Sequence, residues 1–204
     1  MAPQRHAALI TALGGAHPLT PALLAWAHRS PGFAPFLAAH ETKVRRKLRQ
    51  ATGPEAQADL AAELALAAWL LQERRWTLAY EPLAASGGRG PDFRVAAPDG
   101  SGAWFLEVTR LHPAASPDAL TMKLARTLAD KAGQWPPGAS TVLAAVLPPE
   151  AGDAAGLLRR ALGLLQAAAG QPTPTLDGRA FAQRQPRLSA VVLCQGAAED
   201  HWPV

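Results

Sequence analysis

Gly90-Pro91-Asp92-Phe93-Arg94-Val95, Pro98-Asp99-Gly100-Ser101 and Trp104-Phe105-Leu106-Glu107-Val108-Thr109 follow one another in the chain. They read as two strand-forming runs joined by an Asp-Gly turn, a strong local signal for a β-hairpin. With Asp99 and Gly100 as the two turn residues, Pro98 pairs with Ser101, and counting outward sets Asp92 opposite Glu107 on one face. Opposed positions hold their Cβ atoms roughly 4.5–5.5 Å apart, and like charges there are destabilising. Such a pair needs a neutralising partner, and a divalent cation is the simplest one.

Outward from the hairpin, Pro54 to Arg75 is Ala/Leu-rich without inner Gly or Pro and predicts one long helix, with Thr52 or Gly53 near its N-cap. Trp76 to Tyr80 alternates as a strand, followed by Asp92 to Ala96 and residues 103–111. Asp118 to Gly133 is helical, with Leu120, Leu124 and Leu128 as its apolar stripe. Thr141 to Leu147 is a short apolar run suited to a buried strand. Gly152 to Ala169 predicts another helix, residues 171–187 a Pro-rich loop, and Leu188 to Cys194 a last strand. An antiparallel start followed by strand–helix–strand crossovers predicts an α/β fold, a mixed sheet between helices. Residues 1–52, broken by Gly14-Gly15, Pro18, Pro21 and Pro31-Gly32, read as an N-terminal helical extension to a domain at 53–204.

The 204 residues, 49% of them apolar, suffice for one sizeable core. The longest apolar run, Leu64 to Leu71, is far short of the roughly 18 residues that a membrane span needs. Ala7 to Leu13 reads poorly as a signal peptide, so a cytoplasmic protein is expected. One cysteine, Cys194, excludes an intrachain disulfide framework and a cysteine zinc site. The histidines show no metal-ligand spacing, and no Ser or Cys arrangement suggests a nucleophile. Ser86-Gly87-Gly88-Arg89-Gly90 lacks the Gly-Lys-Ser/Thr ending and the strand–helix setting of a phosphate loop and reads as a mobile hairpin connection, from which Arg89 could still touch a backbone phosphate. The net charge is +4, and its densest basic run holds Lys43, Arg45, Arg46, Lys47 and Arg49. On a helix this is either a solvated face or a surface for a polyanion such as DNA.

Three acids stand out. Glu63 lies in an otherwise apolar helical stretch, either on a narrow solvent strip or inside with a partner. Asp92 is a turn or cap residue, or one arm of the pair. Glu107 sits mid-strand where an apolar side chain is usual, explained by function or by a salt bridge to Arg94 or Arg110.

Glu63 on a first helix, Pro91-Asp92 on one strand and Glu107-Val108-Thr109 on the next resemble the PD-(D/E)xK nuclease superfamily, the restriction endonuclease-like fold. The similarity covers residues 54–147 and the order helix, three strands, helix, strand. The resemblance implies a nuclease acting on DNA, with Asp92, Glu107 and the Val108 carbonyl around Mg²⁺ or Mn²⁺ and Glu63 in support. The lysine expected two residues after the Glu is Thr109 here, and a neutral hydroxyl cannot stabilise charge on phosphate as an ammonium can. On the following helix Lys123, Thr127 and Lys131 form one stripe with Gln134 a turn beyond. Lys131 with Gln134 is the substitute expected, against ordinary snorkelling of a helix lysine to solvent.

A catalytically inactive relative serving as a nucleic-acid-binding or protein-interaction module is the rival expectation. A purely structural subunit is the third. RNA is not excluded as a partner, and cutting both strands of a duplex would suggest a homodimer.

Overall fold

The computed structural model describes residues 15, 17–84, 90–132, 135, 138–171 and 175–195. In chain order the elements are α1 (Thr20–Arg29), α2 (Phe33–Ala39), α3 (Glu41–Gln50), α4 (Pro54–Leu70), β1 (Thr77–Tyr80), β2 (Phe93–Ala96), β3 (Ala103–Arg110), α5 (Pro117–Ala132), β4 (Thr141–Leu147), α6 (Ala154–Gly170), α7 (Gly178–Arg184) and β5 (Ala190–Gln195). The fold is α/β, with a mixed five-stranded sheet in the order β1-β2-β3-β4-β5 and helices flanking it. The chain divides into two compact units. One contains α1–α4, β1 and the segment Val95–Gly102; the other contains Glu81–Arg94 and the chain from Ala103 through β5.

In the first unit α4 starts as its sequence dictates, with Gly53 extended at the N-cap and Pro54 in the first turn. It ends at Leu70 rather than Arg75. The polar run Gln72-Glu73-Arg74-Arg75 offers nothing apolar to bury, and Glu73 N–H and Trp76 N–H close successive turns on Leu70 O and Glu73 O. Leu23, Phe33, Leu37, Val44 and Leu64 are fully buried. Phe36 gathers Phe33, His40 and Tyr80 around it, with ring centroids 4.9–5.9 Å away.

The hairpin turn is wider than an Asp-Gly pair alone requires. Ala97 N–H donates to Gly102 O at 3.1 Å and Gly100 N–H to Ala97 O at 3.0 Å, so Pro98 to Ser101 form a four-residue loop. Gly100 takes a φ of +72°, a conformation that glycine adopts freely, and Asp99 Oδ1 accepts Ser101 N–H. The loop lengthens by one residue on each arm, so the pairing is unshifted and Asp92 still falls opposite Glu107.

In the second unit β3 runs parallel to β4, with Glu107 beside Leu143, and β4 parallel to β5, with Leu143 beside Val191. Parallel neighbours require crossovers, and α5 and α6 supply them. Leu120, Leu124 and Leu128 of α5 pack with Leu111, Leu143, Ala145 and Leu147 from the sheet and Leu157, Ala161 and Leu165 from α6. Side chains alternate across a strand. Leu111 lies in this core, so Thr109 and Glu107 also face the α5 side.

The expected loop at 171–187 instead contains α7 and a 3₁₀ turn at Gln185–Arg187. Asp177 caps α7 by accepting Ala180 N–H at 2.8 Å, and Leu176 and Phe181 are buried. Seven residues are too few to show helical periodicity, so tertiary burial decides this helix. A Cβ at Gly178 would collide with the backbone of α6 at Leu165 O and Ala169 N. Gly178→Ala is expected to lower unfolding stability by about 2–3 kcal/mol through this overpacking. Urea denaturation checks it, and an unchanged midpoint refutes the contact.

Candidate functional site

Pro91 is buried ahead of β2 and Asp92 follows it half-buried. Asp92 Oδ2 accepts the Val108 N–H at 2.9 Å, which fixes the carboxylate against β3. On β3 the N–H groups of Phe105 and Leu111 donate toward β4, to Ser140 O and Val146 O. The intervening Val108 therefore turns its amide toward β2. A strand residue's N–H and C=O project to the same side, so the Val108 carbonyl is directed to the Asp92 side as well.

Glu107 is 6% exposed in the middle of β3. A carboxylate so placed must be paired, and Lys131, in the last turn of α5, meets it: Lys131 Nζ forms an ion pair with Glu107 Oε1. The face that β3 presents to α5 and the stripe of Leu120, Leu124 and Leu128 together bring that lysine over the acid. Thr109 lies on the same face, two residues further along β3, and is half-buried. Of the other residues on the lysine stripe, Lys123 binds the chain leaving β3, donating to His112 O at 3.1 Å and Pro113 O at 3.2 Å. Gln134 and Arg89 lie outside the described residues.

Two carboxylates and one ammonium leave a net negative charge on this trio. The two carboxylates and the Val108 carbonyl are hard oxygen donors of the kind that Mg²⁺ and Mn²⁺ favour. The backbone hydrogen bond that orients Asp92 is the kind of outer support that ligating carboxylates have. The residues therefore fit a divalent ion.

The basic helix is divided in its allegiance. Lys43 Nζ donates to Tyr80 O at 2.5 Å. Lys47 Nζ pairs with Glu63 Oε1 at 2.6 Å and lies 4.8 Å from the Tyr80 ring centroid. Both lysines flank Val44 and Leu48, which are buried, so their stems follow the apolar face inward. Glu63, the lone acid of the apolar stretch, is thereby an inside residue with a partner in its own unit. Arg45 reaches Glu41 at 3.1 Å, and Arg45, Arg46 and Arg49 are the exposed cations of the run. Nearby, His40 has its pKa lowered chiefly by burial, with Lys43 adding to the effect and a backbone hydrogen bond to Leu78 opposing it.

Cys194 on β5 is pushed up to about 11 by burial, which leaves it a poor nucleophile at neutral pH. No helix among the described residues is long and apolar enough to cross a membrane. Compared with protein-family models, curated proteins and solved structures, the chain finds no match.

Proposed function

We propose that the chain is a Mg²⁺- or Mn²⁺-dependent nuclease that hydrolyses phosphodiester bonds in DNA, built on a restriction endonuclease-like core. The observation that carries the reading is the pairing of Lys131 with Glu107 while Asp92 is anchored to Val108 on the adjoining strand. In this reading Lys131, from the following helix, takes the part of the lysine that the resemblance implies at position 109. The element order α4, β1 to β3, α5, β4 and the parallel β3–β4 pairing support the same reading.

Asp92, Glu107 and the Val108 carbonyl would hold the ion. When bound it supplies a water of lowered pKa and positive charge for the phosphate oxygens. Lys131 contributes a fixed positive charge beside the scissile phosphate, in a site partly shielded from water where such charge acts strongly. Thr109 contributes a hydrogen-bonding hydroxyl and no charge. The reading goes with a cytoplasmic location and with DNA as the partner, and two copies would act together where both strands are cut.

Calorimetric titration with Mn²⁺ tests it. A saturable heat is expected for the native chain and its loss for Asp92→Asn, an exchange that keeps the shape and a carbonyl oxygen for the Val108 bond. Equal heats, or none in either protein, would sink the proposal.

A further inference from the structure

Two hollows of about 470 Å³ each open along α5, and Arg126 and Asp130 line both. The first has an apolar wall of Pro113, Ala114, Ala115 and Ala119 and includes Thr127. The second is polar, with Thr175, Asp177 and Arg184. Arg126 donates through Nε to Thr175 O at 3.2 Å. That bond steadies the guanidinium and leaves its terminal amino groups for a ligand. Among the described residues no ion pair takes up Arg126 or Arg184, although both are exposed beside acids.

We infer that these hollows bind one unpaired strand of nucleic acid, with a phosphate on Arg126 and the flanking nucleosides in the hollow on either side. The inference rests on the nuclease reading, because Lys131 lies one helical turn beyond Thr127 on the same stripe of α5.

A guanidinium fork matches phosphate oxygens in bidentate fashion. The Pro/Ala wall offers a base an apolar surface, while Thr175, Asp130 and Asp177 offer partners to sugar hydroxyls and base amino groups. Arg184 adds a second cation to the lining of the second hollow. A free anion would use the arginine and leave both hollows idle. A duplex keeps successive nucleosides stacked and cannot part them around one side chain. Alternating cation and hollow therefore selects a flexible strand.

The full chain in EDTA, titrated into a fluorescein-labelled oligothymidylate and into a duplex of equal length, tests this by anisotropy at several salt concentrations. Arg126→Ala and Arg184→Ala are each expected to weaken single-strand binding about tenfold and to flatten the salt dependence by about one phosphate contact. Duplex binding should change less. Both variants replace exposed side chains, so their thermal melts should match the native one, and Arg126→Lys should recover part of the loss.

Wild-type affinity in both alanine variants, equal losses on duplex and single strand, or no binding by the native chain would overturn the inference. Mn²⁺ titration of the same proteins separates the two proposals. Normal heat without arginine-dependent binding sinks the strand site alone; arginine-dependent binding without heat sinks the nuclease reading alone.

Discussion

Glu107→Gln is expected to reduce Mg²⁺-dependent nicking of supercoiled plasmid by about a thousandfold or more, the scale on which removing one strong charged contact to a reacting group acts. The amide keeps the side chain's size and an oxygen that Lys131 Nζ can still reach. It loses the negative charge that a hard cation requires. Folding should therefore change little while cleavage disappears, with melting followed by circular dichroism and nicking compared with and without EDTA. Undiminished nicking by Glu107→Gln would end the nuclease reading.

Lys131→Met should act on both stability and rate. It preserves the hydrophobic stem over Leu128 and removes the ammonium, leaving a side chain only 7% exposed at Glu107 without this partner. Breaking a buried ion pair from one side costs roughly 3–5 kcal/mol. The lysine side chain is itself 25% exposed, so water relieves part of that and about 3 kcal/mol is expected. Urea denaturation measures the loss. The double variant with Glu107→Gln should regain part of it, because the buried negative charge that lost its ammonium then vanishes.

Cleavage by Lys131→Met should fall about a hundredfold or more, as for a lost transition-state charge. Lys131→Arg, which keeps the charge, should remain folded and retain more activity than Lys131→Met. A Lys131→Met protein as stable and as active as the native one would show that the pair is incidental.

Much of the fold is legible in single segments because helix and strand periodicities are local. Proline at the start of α4, the leucine stripe of α5 and the apolar run of β4 each declare their element without reference to the rest. The hairpin is legible too. A loop one residue longer on each arm preserves the register, so an error in the turn does not propagate to Asp92 and Glu107. Less visible is α7, whose seven residues are helical because Asp177 caps them and Phe181 is buried. Arg184 at its end, and with it the second hollow, is equally hard to foresee. Position 109 holds Thr where the resemblance implies Lys, and of the α5 stripe the sequence points to Lys131 without fixing the acid that it meets.

The sequence by itself determined the order of the elements, the pairing of two acids across a turn and the absence of a lysine beside them, since all three depend on neighbours in the chain. Only the tertiary structure decided which lysine serves which acid. Lys131 meets Glu107 while Lys123 ties down the carbonyls after β3, and Lys47 turns inward to Glu63. A helical stripe specifies direction, but the partner at its end depends on which apolar face is buried against which sheet, and that choice is made between segments far apart in sequence.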